Sequence, residues 1–345
     1  MKIVGCDLHT RYQQIAMLDE ETGELIERRL EHEGGEARAV YAGLEGPVRV
    51  GIEATGHTRW FERMLAEQGH ELWIGDAAQI RASMVRKQKT DARDAAHLLE
   101  LLLSGRFPRL WRPTMAERDL RQLVWHRQKL VWMRNAVGNQ LHALAMGEGV
   151  CRKKTLFTKK GRVELEGLSL DPWASRRRQE LLRLLDQLDT SIEEFHQAVS
   201  EQAEQNAAAV LLMTHPGVGP VTSLAFVLTL GPVERFGRSK QVVSYLGLNP
   251  REHSSGGKQR LGSISKQGNP MMRSLLVEAG HTAARLDSEL RQDYQRLKLR
   301  RGGGVAKIAI ARKLAVRMYW MLRRQASYAQ LVRMQGSPRG TLVEQ

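Results

Sequence analysis

Short apolar runs separated by polar turns fill the first hundred positions: IVGCDL, YQQIAML, ELIERRLEH, VRVGIEA and ELWIG. Their length and their β-branched and aromatic content predict strands, with Glu21-Thr22-Gly23 turning the chain between the second and third. Helical spacing takes over near Glu36–Leu44 and from about Arg59 to Gln68. Three meandering strands followed by alternating helix and strand predict a mixed α/β sheet of the ribonuclease H type. A further helix is expected to open at Thr90, an N-cap residue, with Asp91 in the first turn where the helix dipole favours a carboxylate.

Beyond that region the period becomes helical throughout. Met115 to about Gly147 reads as one long helix, with Leu123, Leu130, Val137 and Leu144 every seven residues and Arg127 and Arg134 in the neighbouring seam position. In a second long helix Leu181, Leu185, Leu188, Ile192, Phe195 and Val199 step by 4, 3, 4, 3, 4, a coiled-coil seam. CRKKTLFTKKGRVELEG joins the two as a basic connector without a clear period. The pair is expected to form an antiparallel hairpin or an oligomerisation arm. HPGVGPVTSLAFVLTLG opens the last third and reads as a helix–hairpin–helix turn, in which Gly217 and Gly219 would let backbone N–H groups approach a phosphate; an ordinary helical hairpin fits equally well. The expected organisation is an α/β domain over 1–112, a helical arm over 113–208, a helical domain over 209–330 and a disordered tail over 331–345.

Charge is distributed unevenly. The formal net charge is +15, yet residues 1–105 carry 13 Lys and Arg against 18 Asp and Glu, whereas residues 251–345 carry 19 against 6. An acidic first third and a basic last third predict a metal-binding core joined to a polyanion-binding surface. Two cysteines, Cys6 and Cys151, exclude a disulfide scaffold and zinc-finger spacing, and Cys6 falls inside an apolar strand. No apolar stretch approaches the roughly 20 residues that span a bilayer, and no signal peptide or lipidation motif is evident, so a cytoplasmic, prokaryotic protein is expected.

Four carboxylates occupy positions where a small α/β nuclease core needs metal ligands. Asp7 closes the first strand-like run, Glu53 the fourth, and Asp91 and Asp94 share one face of the helix opening at Thr90. Oxygen ligands from remote segments suit Mg²⁺, with Mn²⁺ as a substitute. Arg86, Lys87 and Lys89, just ahead of that helix, are candidates for phosphate contacts. A second constellation is Ser254-Ser255-Gly256-Gly257-Lys258, a hydroxyl on a glycine-rich turn beside a lysine, with Arg260, Lys266 and Arg273 close behind. On local grounds it fits a linker, a phosphate-binding loop or a nucleophile.

In order along the chain, GCDLH, GIEATG, KTDARDA, PGVGPVTS, YLGLNPREHSSGGK and GSISKQGNPMMRSLL resemble the DEDD transposases of the insertion sequence 110 type, serine-dependent recombinases guided by RNA. The resemblance covers nearly the whole chain. It implies a RuvC-like N-terminal domain, a coiled-coil middle and a C-terminal transposase domain holding a serine. By motif, Asp7, Glu53, Asp91 and Asp94 fill the tetrad and Ser255 the nucleophile position, with Ser254 a close competitor. Also implied are Mg²⁺, a covalent phosphoserine–DNA intermediate, target and donor DNA, a non-coding guide (bridge) RNA, and a homo-oligomer, dimer or tetramer, without membrane association. Cys6 and His9 depart from the expected residue types but are not ligand positions. Two other readings stay open: a RuvC-like hydrolytic nuclease or junction resolvase, and a nucleic-acid-binding protein without catalysis.

Overall fold

A computed structural model describes residues 1–84, 90–152, 154–255 and 260–335. The chain divides into two compact units, Met1–Arg112 and Pro113–Gln345.

The first unit is built on a five-stranded sheet. Strands β1 (Lys2–Leu8), β2 (Tyr12–Asp19) and β3 (Leu25–Glu31) meander; helix α1 (Glu36–Ala42) leads to β4 (Val48–Glu53), and α2 (Arg59–Glu67) to β5 (Glu71–Gly75). Helices α3 (Ala77–Ser83) and α4 (Asp91–Leu103) follow. The strand order is β3-β2-β1-β4-β5, with β1 antiparallel to β2 and parallel to β4. Side chains alternate between faces as the period of two requires. Val4, Cys6, Val50 and Ile52 pack with Tyr41, Phe61, Met64 and Leu65 from α1 and α2. Ile3 and Ala16 face Leu98, Leu99 and Leu102 of α4, together with Phe107.

Gly5 and Gly51 sit on that second face and let α4 come close. A Cβ on Gly5 would lie 2.2 Å from the Ala95 carbonyl oxygen and 2.4 Å from the Leu99 amide nitrogen. One on Gly51 would lie 2.7 Å from a Leu102 methyl. Without side chains there, the helix backbone rests on the sheet. Thr90 caps α4 as expected, its side chain accepting from the Arg93 amide.

The second unit is helical. It comprises α5 (Met115–Gly147), α6 (Lys159–Glu166), α7 (Pro172–Glu204), α8 (Ala207–Met213), α9 (Pro220–Leu230) and α10 (Ser239–Tyr245). A two-stranded hairpin follows, β6 (Pro250–Glu252) with β7 (Leu261–Ile264), and then α11 (Pro270–Leu286), α12 (Ser288–Arg301), α13 (Gly303–Arg324) and α14 (Tyr328–Gln335). A capping box between Thr114 and Glu117 starts α5. The expected seam on α7 is filled from within the chain: Leu181, Leu185 and Leu188 bury against Leu130, Val137 and Leu141 of α5, with Ile192 and Phe195 packed alongside. The seam is therefore an intrachain hairpin contact. Arg134, in the polar seam position, bonds to Asp189 across the hairpin. The expected basic connector contains a helix, α6, whose Arg162 grips Asp186 of α7 through two bonds of 2.7 Å.

Val124 of α5 and Val199 and Ala203 of α7 share one core with α8, α9, α11 and α13, so the arm and the last third form one unit. At its centre α9 is mostly apolar and buried over most of its length, with Thr222, Ser223 and Thr229 buried among its apolar side chains. The tail expected over 331–345 is helical in its first part: α14 reaches Gln335, and Leu331 is buried in the core. The remaining tail positions, 336–345, lie outside the described residues.

Candidate metal centre and serine hairpin

Parallel pairing brings Asp7 and Glu53 together. Cys6 and Ile52 are the last registered pair of β1 and β4, and the next residue on each strand is Asp7 and Glu53. Both project from the face that carries Gly5 and Gly51, where α4 lies. Asp91 and Asp94 occupy the first turn of α4. The sheet glycines that admit the helix therefore also bring its acidic first turn to the strand ends.

The charges feel one another. Burial raises the Asp7 pKa, His9 opposes that rise, and the carboxylates of Asp94 and Asp91 add to it. His9 is the residue whose part the sequence did not reveal. Its Nε2 donates to Asp7 Oδ2 at 3.0 Å and stands 3.7 Å from Asp91 Oδ2. Donor atoms of Asp7, His9 and Asp91 all lie within 4.8 Å of one another. Tyr12 joins the group: its hydroxyl donates to Asp91 Oδ2 at 2.9 Å, and its ring lies 4.7 Å from that of His9. The carboxylate that accepts this bond raises the Tyr12 pKa, and the Arg29 guanidinium covers the tyrosine ring at 3.7 Å. The spacing D-x-H-x-x-Y was the available signal. It puts Asp7 and His9 on one face of the strand end, and the turn closed by His9 N–H and the Tyr12 carbonyl returns the tyrosine beside them.

Hard oxygen donors with one imidazole fit a divalent cation of the Mg²⁺ or Mn²⁺ class, and like charges so close favour a cation among them. Asp7 and Asp91 are in the tight trio; Glu53, at the end of β4, and Asp94, in the first turn of α4, stand outside it.

In the second unit, β6 and β7 carry Ser254 and Ser255 at the end of their hairpin. Ser254 Oγ donates to Glu252 Oε1 at 2.6 Å and accepts from the Arg260 amide at 3.1 Å, so its hydroxyl is bound up in the turn. Ser255 is exposed. Gly256, Gly257 and Lys258, like Arg86, Lys87 and Lys89, lie outside the described residues.

Two residues considered for phosphate contact also have partners within the chain. Gly217 (φ +86°) faces α11, where a Cβ would lie 2.5 Å from the Ala283 amide nitrogen, so its glycine serves close packing. Arg273 Nη1 donates to the carbonyls of Leu246, Gln267 and Gly268 and braces two turns. Gly219 has open space around it. Lys266 adopts a left-handed backbone (φ 58°) and bonds to the Gly247 carbonyl, while the Arg260 side chain is exposed.

Comparison with known proteins agrees with this order of parts. Residues 4–147 match a family model described as a transposase, of the DEDD IS110 type. Residues 209–295 match the Transposase IS116/IS110/IS902 family. The transposase for insertion sequence element IS1111A of Coxiella burnetii is 28% identical over 340 residues, covering 95% of this chain and 91% of its own length. A probable family 20 transposase of Pseudomonas aeruginosa is 27% identical over 339 residues, covering 94% and 98%. A pilin gene-inverting protein of Moraxella bovis is 27% identical over 231 residues, covering 65% and 64%. With both models matched in order and relatives aligned over almost the full length, this chain belongs to the IS110 family of DEDD transposases, enzymes of insertion sequences that act on DNA and use divalent metal.

Proposed function

We propose that the protein recombines DNA by transesterification, with Asp7, Glu53, Asp91 and Asp94 holding Mg²⁺ in an N-terminal domain of the RuvC type and Ser255 as the nucleophile. The observation that carries this reading is the convergence of Asp7 and Asp91, 84 positions apart, on one strand end through the glycine-lined approach of α4. The strand order of the first unit, antiparallel meander then parallel pair, accords with a ribonuclease H fold.

When bound, the metal supplies Lewis-acid polarisation of the phosphodiester and neutralises charge on its oxygens. The protein's own residues do the rest. Ser255 Oγ attacks phosphorus as the hydroxyl loses its proton. The new bond is Oγ–P; the bond to the 3′ oxygen breaks, and that oxygen leaves as a 3′-hydroxyl after taking a proton. A 3′-hydroxyl from another strand then attacks the phosphoserine, restores a phosphodiester and returns the proton to Ser255. Bond energy is conserved, as exchange without an external energy source demands. Ser254 shapes the turn through Glu252 and Arg260, and His9 and Tyr12 hold Asp7 and Asp91 in place.

In this reading a non-coding guide RNA selects target and donor DNA, the protein needing chiefly backbone contacts from its basic last third. Two or more protomers assemble around the DNA. The α7 seam does not supply that contact, since α5 covers it. Hydrolytic cleavage by a water molecule is the competing chemistry, and it leaves the serine hairpin without a task.

The test is strand exchange by purified protein with Mg²⁺ and RNA transcribed from the flanks of its own insertion sequence. Asp7→Ala and Asp94→Ala should abolish cleavage while nucleic-acid binding persists. Full cleavage by both variants would remove the tetrad from the mechanism.

A further inference from the structure

A cavity of about 840 Å³ opens in the second unit between the β6–β7 hairpin, α10 and α13. Its apolar surfaces come from Trp320 of α13, Val243 of α10 and Leu261 of β7. Arg324 lies over the indole of Trp320 at 5.0 Å and Tyr319 meets it edge-on at 5.1 Å. Lys240 and Arg312 stand exposed on the rim. The two carboxylates in the lining are engaged, Glu289 by Arg317 at 2.6 Å and Glu252 by the Ser254 hydroxyl at 2.6 Å. Asn249, also in the lining, accepts from Ser265 Oγ at 2.7 Å through Oδ1, which orients the amide and leaves its NH₂ as the donor.

We infer that this cavity receives one unpaired base of a DNA strand, stacked on Trp320, with its phosphate held by Lys240 and Arg312 and its edge read by the Asn249 amide. An aromatic platform beside two cations is what single-stranded nucleic acid requires, because every base has a π-face and every linkage a charge. The volume exceeds that of one nucleotide and lies within the range of ligand pockets. A base still paired in a duplex cannot enter a site walled on three sides, so the base must leave its stack. The position relative to the hairpin gives the site its purpose. Glu252 in the cavity wall is two residues before Ser254 and three before Ser255 on the same stretch of chain. A base captured there would hold an unpaired strand end near the nucleophile while strands are exchanged. That purpose rests on the reaction proposed above; the binding of the base does not.

The experiment is photocrosslinking of the full-length protein to single-stranded DNA carrying 5-iododeoxyuridine, followed by peptide mapping. The expected adduct is on Trp320, it survives Asp7→Ala, and the same DNA as a duplex gives at least tenfold less. Trp320→Ala should weaken single-strand affinity tenfold or more, and Arg312→Ala several-fold with a shallower salt slope. Should Trp320→Ala fail to fold, the wild-type map decides alone. Adducts elsewhere with Trp320 untouched would overturn the assignment. So would duplex crosslinking of equal yield, or an adduct formed only with the matching RNA. A Trp320 adduct from a protein that never exchanges strands would refute the proposed reaction and leave the base site standing.

Discussion

The Tyr12 hydroxyl donates to Asp91 Oδ2 over 2.9 Å and ties the start of β2 to the first turn of α4, 79 positions later. Asp91 also faces His9, so its carboxylate is aimed from two directions. A ligand held in place before the cation arrives binds it at lower entropic cost, and loss of an outer partner commonly weakens metal affinity 10–100-fold. Tyr12→Phe should therefore lower Mn²⁺ affinity by about tenfold, read by titration calorimetry or electron paramagnetic resonance, with an unchanged circular dichroism spectrum. Wild-type affinity in Tyr12→Phe would show that the bond does not position Asp91.

Gly5 gives a sharper structural expectation. A methyl group there would meet the α4 backbone at 2.2 and 2.4 Å, and backbone cannot rotate away as a side chain can. Gly5→Ala should cost about 3 kcal/mol or more in urea unfolding and should weaken Mn²⁺ binding as well, because the acidic turn moves with the helix. Stability within experimental error of wild type would mean that α4 does not rest on β1 in solution.

Such contacts explain what the sequence disclosed and what it withheld. Strand runs ending in Asp7 and Glu53 and the cap at Thr90 are local patterns, and the sheet and the acid cluster follow from them. His9 and Tyr12 were hidden because their importance arises from the turn between two strands, which brings together residues of unremarkable type. Arg273 and Gly217 show the same limit: a basic side chain and a glycine suit phosphates, and no local pattern shows that Arg273 also bonds to the Leu246 carbonyl or that Gly217 lies against the α11 backbone. The α7 seam was legible as a coiled coil, yet its partner, α5 of the same chain, is a matter of tertiary packing.

That partner makes a clear expectation for Leu188, which is 6% exposed. Leu188→Ala should destabilise the protein by about 2–5 kcal/mol through the cavity it leaves, without changing the assembly mass in light scattering. Unchanged stability together with a reduced mass would place the seam between protomers instead.

His215 supplies a pH dependence. It is 1% exposed, donates from Nδ1 to the Pro216 carbonyl at 2.9 Å, and packs its ring, tilted by 54°, against that of Tyr328 at 4.3 Å. Burial lowers its pKa from 6.5 to about 4. Between these values the unfolded chain binds a proton that the folded one refuses, so stability is full above pH 6.5 and falls as the pH drops toward 4. The loss from this residue is about 3 kcal/mol. His215→Phe should flatten the stability–pH curve over that window in denaturant titrations; an identical slope would mean that His215 titrates normally in the folded protein.

Trapping the covalent intermediate tests the central claim most directly. DNA incubated with the protein, Mg²⁺ and its guide RNA, then denatured, should yield a protein–DNA adduct whose phosphate maps to Ser255. Ser255→Ala should lose both adduct and strand exchange. Ser254→Ala should be milder, since that hydroxyl is bonded to Glu252 and to the Arg260 amide within the turn. A normal adduct from Ser255→Ala, or efficient cleavage by both single variants and the double variant with no adduct at all, would contradict the account and leave water as the nucleophile in the latter case.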